Sequence, residues 1–323
     1  MTVPSAARVG VFGKVPWRAE YLKVRWDGDP FTSFDSWMTD NVEWAAVHAQ
    51  RAFADASSTG SGGMHAFVFR PKNGQGVLSG AIVASADSAG RSYPLAVGAP
   101  LSSAPELGAC PEVLPLVLED FWQSASEIAG AVRAAGSVDG AASATPADFT
   151  WSVDVAQACA AYAEWATALP LGDLFSLIYG ADGPTLAAQA VRFTVEALRP
   201  FRGVDRPRTP LTLRLPLGAA GGAAVCFWVD LVRRAAGWRS TIPSFFWSHD
   251  GAAGNLLLHL GDPPRSTLCD LFTSPDDRGD LCDLTGPLSA AQLQAIPDLP
   301  PALASCFDRE CRVSDLASAA GVL

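Results

Sequence analysis

The chain has 323 residues, a hydrophobic content of 49%, only 17% charged residues and a formal net charge of -10 at pH 7. That length holds about two domains or one elaborated domain, and the composition suits a globular protein with a sizeable core. The negative balance repels a phosphate backbone and an anionic membrane surface, so nucleic acid and charged bilayers are poor first readings.

The N-terminal MTVPSAARVGVFGKV lacks an apolar segment followed by a small-residue cleavage site. No apolar run approaches the roughly 18 residues a membrane span needs. The nearest, Ala219–Val229, is broken by Gly221 and Gly222. The expectation is a soluble, cytoplasmic protein with no direct membrane insertion. Seven cysteines occur without a C-x-x-C pair, and in that compartment they are expected to be reduced, small and buried.

In chain order, Val9–Phe12 is predicted as a strand that turns at Gly13, with the polar segment to Asp29 a loop. Pro30 precedes a helix to about Ala54, with Phe34, Trp37, Met38, Val42 and Ala45 on one face. Thr32 with Asp35 fits a helix-start capping signal. Ser57–Gly63 is a flexible loop, and His65–Arg70 and Val77–Ala84 form a hairpin. SYPLAVGAP is a third strand, which Pro94 assigns to an edge or a bulge. The chain turns helical from about Glu112. Gly136–Asp148 is a low-complexity break, and an Ala-rich helical block follows to about Leu198.

A Pro- and Arg-rich connector, Arg199–Pro210, leads to the strand LTLRLPL and a helix ending at Gly237 with Arg233 and Arg234 in its last turns. WRSTIPSFFWS and NLLLHL are two further strands, and the tail from Pro263 carries short helices near Ala290 and Ala302. The resulting division is residues 1–135 as an N-terminal α/β portion, 136–200 as a helical insertion, 201–262 as its completion and 263–323 as an extension.

Chemistry motifs are weak. Lys14 follows a glycine, but Val15 stands where a phosphate loop needs a hydroxyl. No G-x-S-x-G elbow occurs. Ser248, His249 and Asp250 are consecutive, so they cannot converge on one atom and read as a hairpin turn. His259 reads as a satisfied strand histidine. Asp276, Asp277 and Asp280 read as a surface turn, since SPDDRGD lacks the length and the bidentate Glu of a calcium loop. The expectation is no catalytic residue, no cofactor and no metal site, hence a binding or regulatory protein rather than an enzyme. A hydrolase with a site assembled across the sheet is the alternative.

Four stretches carry a resemblance. Gly10, Phe12, Gly13, Lys14, Val15, Pro16, Arg18 and Tyr21 fall in register with G-[FY]-x-G-K-[LV]-P-x-R-G-D-[FY]. Phe34, Asp35 and Trp37 follow as an F-x-x-W-like helix core. Ser85, Asp87, Gly90, Arg91, Tyr93, Pro94 and Leu95 match S-x-D-x-x-G-R-x-[FY]-P-L, and Pro243, Ser244, Phe246, Trp247 and Ser248 match P-S-[LF]-[FW]-W-[ST]. Together they resemble the TagF family, also called ImpM, of bacterial type VI secretion. Ala19 and Glu20 depart from it, standing where the family has Gly-Asp.

The resemblance covers Val9–Val97 and Thr241–Leu260. It implies an α/β fold: a three-layer α/β/α sandwich with a mixed, largely antiparallel central sheet, here with an inserted helical block. It also implies a non-enzymatic post-translational repressor that binds the forkhead-associated scaffold protein or another secretion component. Accessory structural roles and a homodimer remain open. Lys14, Trp17 and Arg18 are the leading partner-binding candidates, because aromatics and Arg dominate interface hot spots. Glu20 joins them, with Asp87 and Arg91 expected to pair and fix the loop before the third strand. The plainer reading is that Lys14 and Arg18 only tie down local carboxylates.

Overall fold

Strands with alternating apolar residues and helices with one apolar face need each other to bury both. The computed structural model describes every residue except 1–4, 60–62, 73–75, 102–107, 152–154, 205–206, 208, 249–253, 274–279, 309 and 323. The elements are β1 (Ser5–Arg8), β2 (Gly10–Val15), β3 (Arg18–Val24), α1 (Phe31–His48), α2 (Gln50–Thr59), β4 (Met64–Phe69), β5 (Val77–Val83) and β6 (Leu95–Leu101). Then come α3 (Leu114–Val117), α4 (Glu119–Ala134), α5 (Val138–Ala144), β7 (Asp148–Trp151), α6 (Val155–Ala168), α7 (Leu171–Tyr179), α8 (Gly183–Leu198), β8 (Thr212–Pro216) and α9 (Gly221–Ala236). The chain ends with β9 (Ser244–Ser248), β10 (Asn255–His259), α10 (Thr267–Phe272), β11 (Leu281–Asp283), α11 (Ala290–Ala295), α12 (Pro301–Ala304) and α13 (Val313–Ala320).

Nine strands form one sheet in the order β11-β8-β10-β9-β4-β5-β6-β2-β3. Every pairing is antiparallel except β11 with β8. The period-two alternation of each strand sorts side chains into two cores. Phe12, Phe67, Phe246 and Leu257 face Phe31, Phe34 and Met38 of the α1 layer. Val11, Val68, Phe245, Trp247, Leu256 and Leu258 face the opposite layer, where α4, α6, α7, α8 and α9 contribute Trp122, Tyr162, Phe175, Val191 and Phe227. This is the expected three-layer α/β sandwich with a mixed, largely antiparallel sheet.

The helical block shares that second core, and β7 at its entry pairs with β1 at the chain start. The stretch Gly136–Asp148 is not simply a break. It holds α5, whose N-cap Ser137 accepts the Gly140 amide, because a seryl oxygen satisfies a free first-turn donor.

Four local expectations are corrected. The segment before Asp29 holds β3, whose alternation buries Leu22 and Val24 while Glu20, Tyr21 and Lys23 stay exposed. Thr32 and Asp35 form no capping box: the Thr32 hydroxyl donates back to the Gly28 carbonyl, and Asp35 pairs with Lys23. Pro94 lies just ahead of β6, which sits between β5 and β2 inside the sheet and not at its edge. The helix expected to reach Ala54 is interrupted at Ala49, and α2 carries on to Thr59. Of Ser57–Gly63, residues 60–62 lie outside the described residues, as do His249, Asp250, Asp276 and Asp277. No described helix is long and apolar enough to cross a membrane.

Candidate functional site

The β2–β3 hairpin and the loop from Ser85 to Arg91 meet at the end of the sheet. Gly13 sets their distance. Its φ of 139° suits glycine, and a Cβ there would overlap the carbonyl of Pro94, just ahead of the neighbouring β6. The register of β2 against β3 shifts between Gly13 and Val15, an irregularity next to Lys14.

Lys14 reaches across to the loop. Its Nζ lies 2.7 Å from Asp87 Oδ2 and donates to the Ala19 carbonyl at 2.6 Å. Arg91 Nε donates to the same Asp87 oxygen at 2.7 Å, and Arg91 Nη2 donates to the Ala19 carbonyl at 2.7 Å. Asp87 Oδ1 accepts the backbone amides of Ala89 and Arg91, both at 2.9 Å. The Ser85 hydroxyl donates to the Lys14 carbonyl at 2.8 Å, and the Ser88 amide to the Arg18 carbonyl at 3.2 Å.

Burial separates the members. The Asp87 side chain is 0% exposed and that of Lys14 6%, whereas that of Arg91 is 63% exposed. Burial pushes the Asp87 carboxyl up. The hydrogen bonds from Lys14, from the Arg91 amide and side chain and from the Ala89 amide outweigh it and hold the carboxyl well below the usual range. Tyr21 roofs the cluster: Lys14 Nζ lies 4.5 Å from its ring centroid, and the ring stacks on Phe12 and meets the edge of Tyr93.

The structure thus brings Lys14, Asp87 and Arg91 together, and the expected Asp87–Arg91 pair is present. Arg18 Nε lies 3.3 Å from Glu20 Oε2 beside them. Trp17 turns inward and its Nε1 donates to the Val132 carbonyl at the end of α4, 3.1 Å away. Ala19 serves through its backbone carbonyl and does not stand at positive φ, so a residue other than glycine fits there. Sequence reasoning missed two participants. The exposed Tyr21 sits in the family pattern, but its stacking was not foreseen. Arg25, at φ 49°, donates to the Thr145 and Pro146 carbonyls and ties the end of β3 to the entry of β7. A lone Arg in a polar run gives no signal for that.

A second ion cluster lies in the other layer. Asp230 Oδ1 accepts Arg233 Nη2 at 3.0 Å and Arg234 Nε at 2.7 Å, and Oδ2 accepts the Tyr162 hydroxyl at 3.2 Å. Glu112 Oε1 accepts Arg233 Nη2 at 2.9 Å. Burial pushes the Glu112 carboxyl up, opposed by Arg233 and reinforced by Asp230. His259 hydrogen-bonds the Thr212 hydroxyl at 2.9 Å, and burial pushes it down to about 3, so it is a neutral strand histidine. Among the described residues no group of three or more His, Cys, Asp or Glu is placed to hold a metal ion.

Residues 10–144 match the TagF N-terminal domain, which is type VI secretion system-associated. The chain carries a TagF N-terminal domain. Lys14, Asp87 and Arg91 all lie inside it, and the match ties the chain to type VI secretion. No curated protein matches the chain. Its fold is similar to the crystal structure of PA0076 from Pseudomonas aeruginosa PAO1, at 15% identity and a TM-score of 0.46 over 90% of this chain and 100% of that one.

Proposed function

We propose that this TagF-domain protein is a cytoplasmic, non-catalytic repressor of a type VI secretion system that acts by binding another secretion component. The forkhead-associated scaffold is the first partner to test. The observation that carries the reading is the type VI secretion-associated domain over residues 10–144. The hairpin surface suits such a role. Lys14 and Asp87 form a buried internal clamp, and the partner is met by what the clamp holds out: Arg18, Glu20, Tyr21 and Arg91, with Trp17 anchoring the turn from below. A rigid aromatic flanked by guanidinium groups is the composition of interface hot spots.

The test is deletion and complementation. Removing the gene should raise secretion, and the wild-type copy should lower it again. A copy carrying Arg18→Glu and Arg91→Glu, accumulating to the same level, should fail to do so and should lose co-purification with the scaffold. Unchanged secretion on deletion removes the repressor reading. Full repression by the double variant removes this surface from the interface.

A further inference from the structure

Cys110 and Cys159 line one cavity of about 170 Å³, next to the Glu112–Asp230–Arg234 end of the second ion cluster. Both are partly exposed, as are Cys282 and Cys311, whereas Cys226, Cys269 and Cys306 are buried. The Cys110 and Cys159 thiols lie near one another on the cavity wall, and after burial Cys110 is the next influence that pushes the Cys159 thiol up. Cys110 immediately precedes the turn Pro111–Val113 and lies within the TagF N-terminal domain, while Cys159 lies on α6, beyond it. Cys306 and Cys311 line a separate groove, and the Cys306 thiol donates to the Ala302 carbonyl at 3.5 Å.

The geometry points to a reversible disulfide between Cys110 and Cys159 that staples the TagF N-terminal domain to the helical block. The oxidant is a small-molecule disulfide such as oxidised glutathione. Cys110 Sγ loses its proton to solvent and attacks one sulfur of the oxidant, and the first glutathione leaves as thiolate. Cys159 Sγ then gives up its proton and attacks the Cys110 sulfur of the mixed disulfide, and the second glutathione leaves. Two protein thiols are oxidised by two electrons and one disulfide is reduced to two thiols. Burial, the Cys110 thiol and the nearby Glu112 push the Cys159 thiol up to about 12. The existing ion cluster holds both ends in place before the bond forms.

The experiment uses the full chain, reduced and then incubated with oxidised glutathione at neutral pH without denaturant. Remaining thiols are blocked with N-ethylmaleimide and unreduced peptides are mapped by mass. Expected is a Cys110–Cys159 linked peptide as the dominant disulfide, lost with dithiothreitol and absent from Cys159→Ser, with the other cysteines recovered blocked. The oxidised chain should also show a higher urea midpoint than the reduced one. Recovery of both residues blocked, glutathione retained on Cys110 without resolution, or linkage to another cysteine overturns the proposal. So does linkage that appears only after urea treatment. The wild-type map reads all of these even if the serine variant fails to fold.

Discussion

The two ion clusters solve different problems with the same residue types. At the hairpin one carboxylate, Asp87, receives Lys14, Arg91 and two backbone amides, so a single loop is fully satisfied around one ionised group. In the helical layer two carboxylates, Glu112 and Asp230, share Arg233, and only Asp230 has a further guanidinium and a tyrosine. The first arrangement favours the ionised form of Asp87. In the second, burial and then the neighbouring Asp230 push Glu112 toward its neutral form against Arg233. A buried ion pair is a sound clamp when no member is left over, and a softer joint when one can neutralise.

The comparison is broken most directly by Asp87→Ala, which strands a buried ammonium. The expected loss is about 3–5 kcal/mol of unfolding free energy in urea titration. A loss under about 1 kcal/mol would show that Lys14 finds solvent or another acceptor. Gly13→Ala attacks the same site through the backbone, combining an unfavourable φ with overlap at Pro94, and should cost on the order of 3 kcal/mol. Arg233→Met removes the shared cation of the softer joint. Because Glu112 can take up a proton and Asp230 keeps Arg234, the cost should be about 2 kcal/mol, below that of Asp87→Ala. An equal or larger cost would erase the distinction drawn between the clusters.

Acid titration sharpens it with the smallest effects. The Asp87 carboxyl is lowered on folding, so its stabilisation is complete above its ordinary value of 3.8 and disappears as pH falls below that. The Glu112 carboxyl is raised, so the folded state holds its proton longer and this group's contribution is lost as pH rises above 4.5. Unfolding free energies measured against pH should therefore lose their acid-side drop in Asp87→Asn. Glu112→Gln should leave neutral-pH stability within about 1 kcal/mol and remove the opposite slope. Parallel curves for the two variants would contradict the assignment.

What could be read ahead of the structure follows from range. The hairpin cluster draws on two short motifs, and the Asp87–Arg91 pair was legible inside one of them, whereas Lys14 reads first as a partner-binding residue and its bond to Asp87 was not foreseen. The burial of Lys14 and Asp87 was not legible either, because it depends on the Tyr21, Phe12 and Tyr93 rings stacking above them. Strands such as Met64–Phe69 and Ser244–Ser248 were legible as strands from their aromatic and β-branched content, but their apolar runs, buried on both faces, do not say which residue faces which core. β3 was read as a loop because its charged residues point outward at a sheet edge and mask Leu22 and Val24. The second cluster joins residue 112 to residue 230 through a helix interior, and nothing in either segment names the other.

The position of β9 has a consequence in time. It lies between β10 and β4, with Phe246 opposite Phe67, roughly 180 residues earlier in the chain. At translation rates of about 5–20 residues per second, β4 waits on the order of 10–35 s for its neighbour. Over that interval MHAFVF presents an apolar, unpaired border to the cell. The emerging N-terminal half is therefore a natural client for chaperones, and nascent chains halted before Ser244 should be recovered as aggregates or as chaperone complexes.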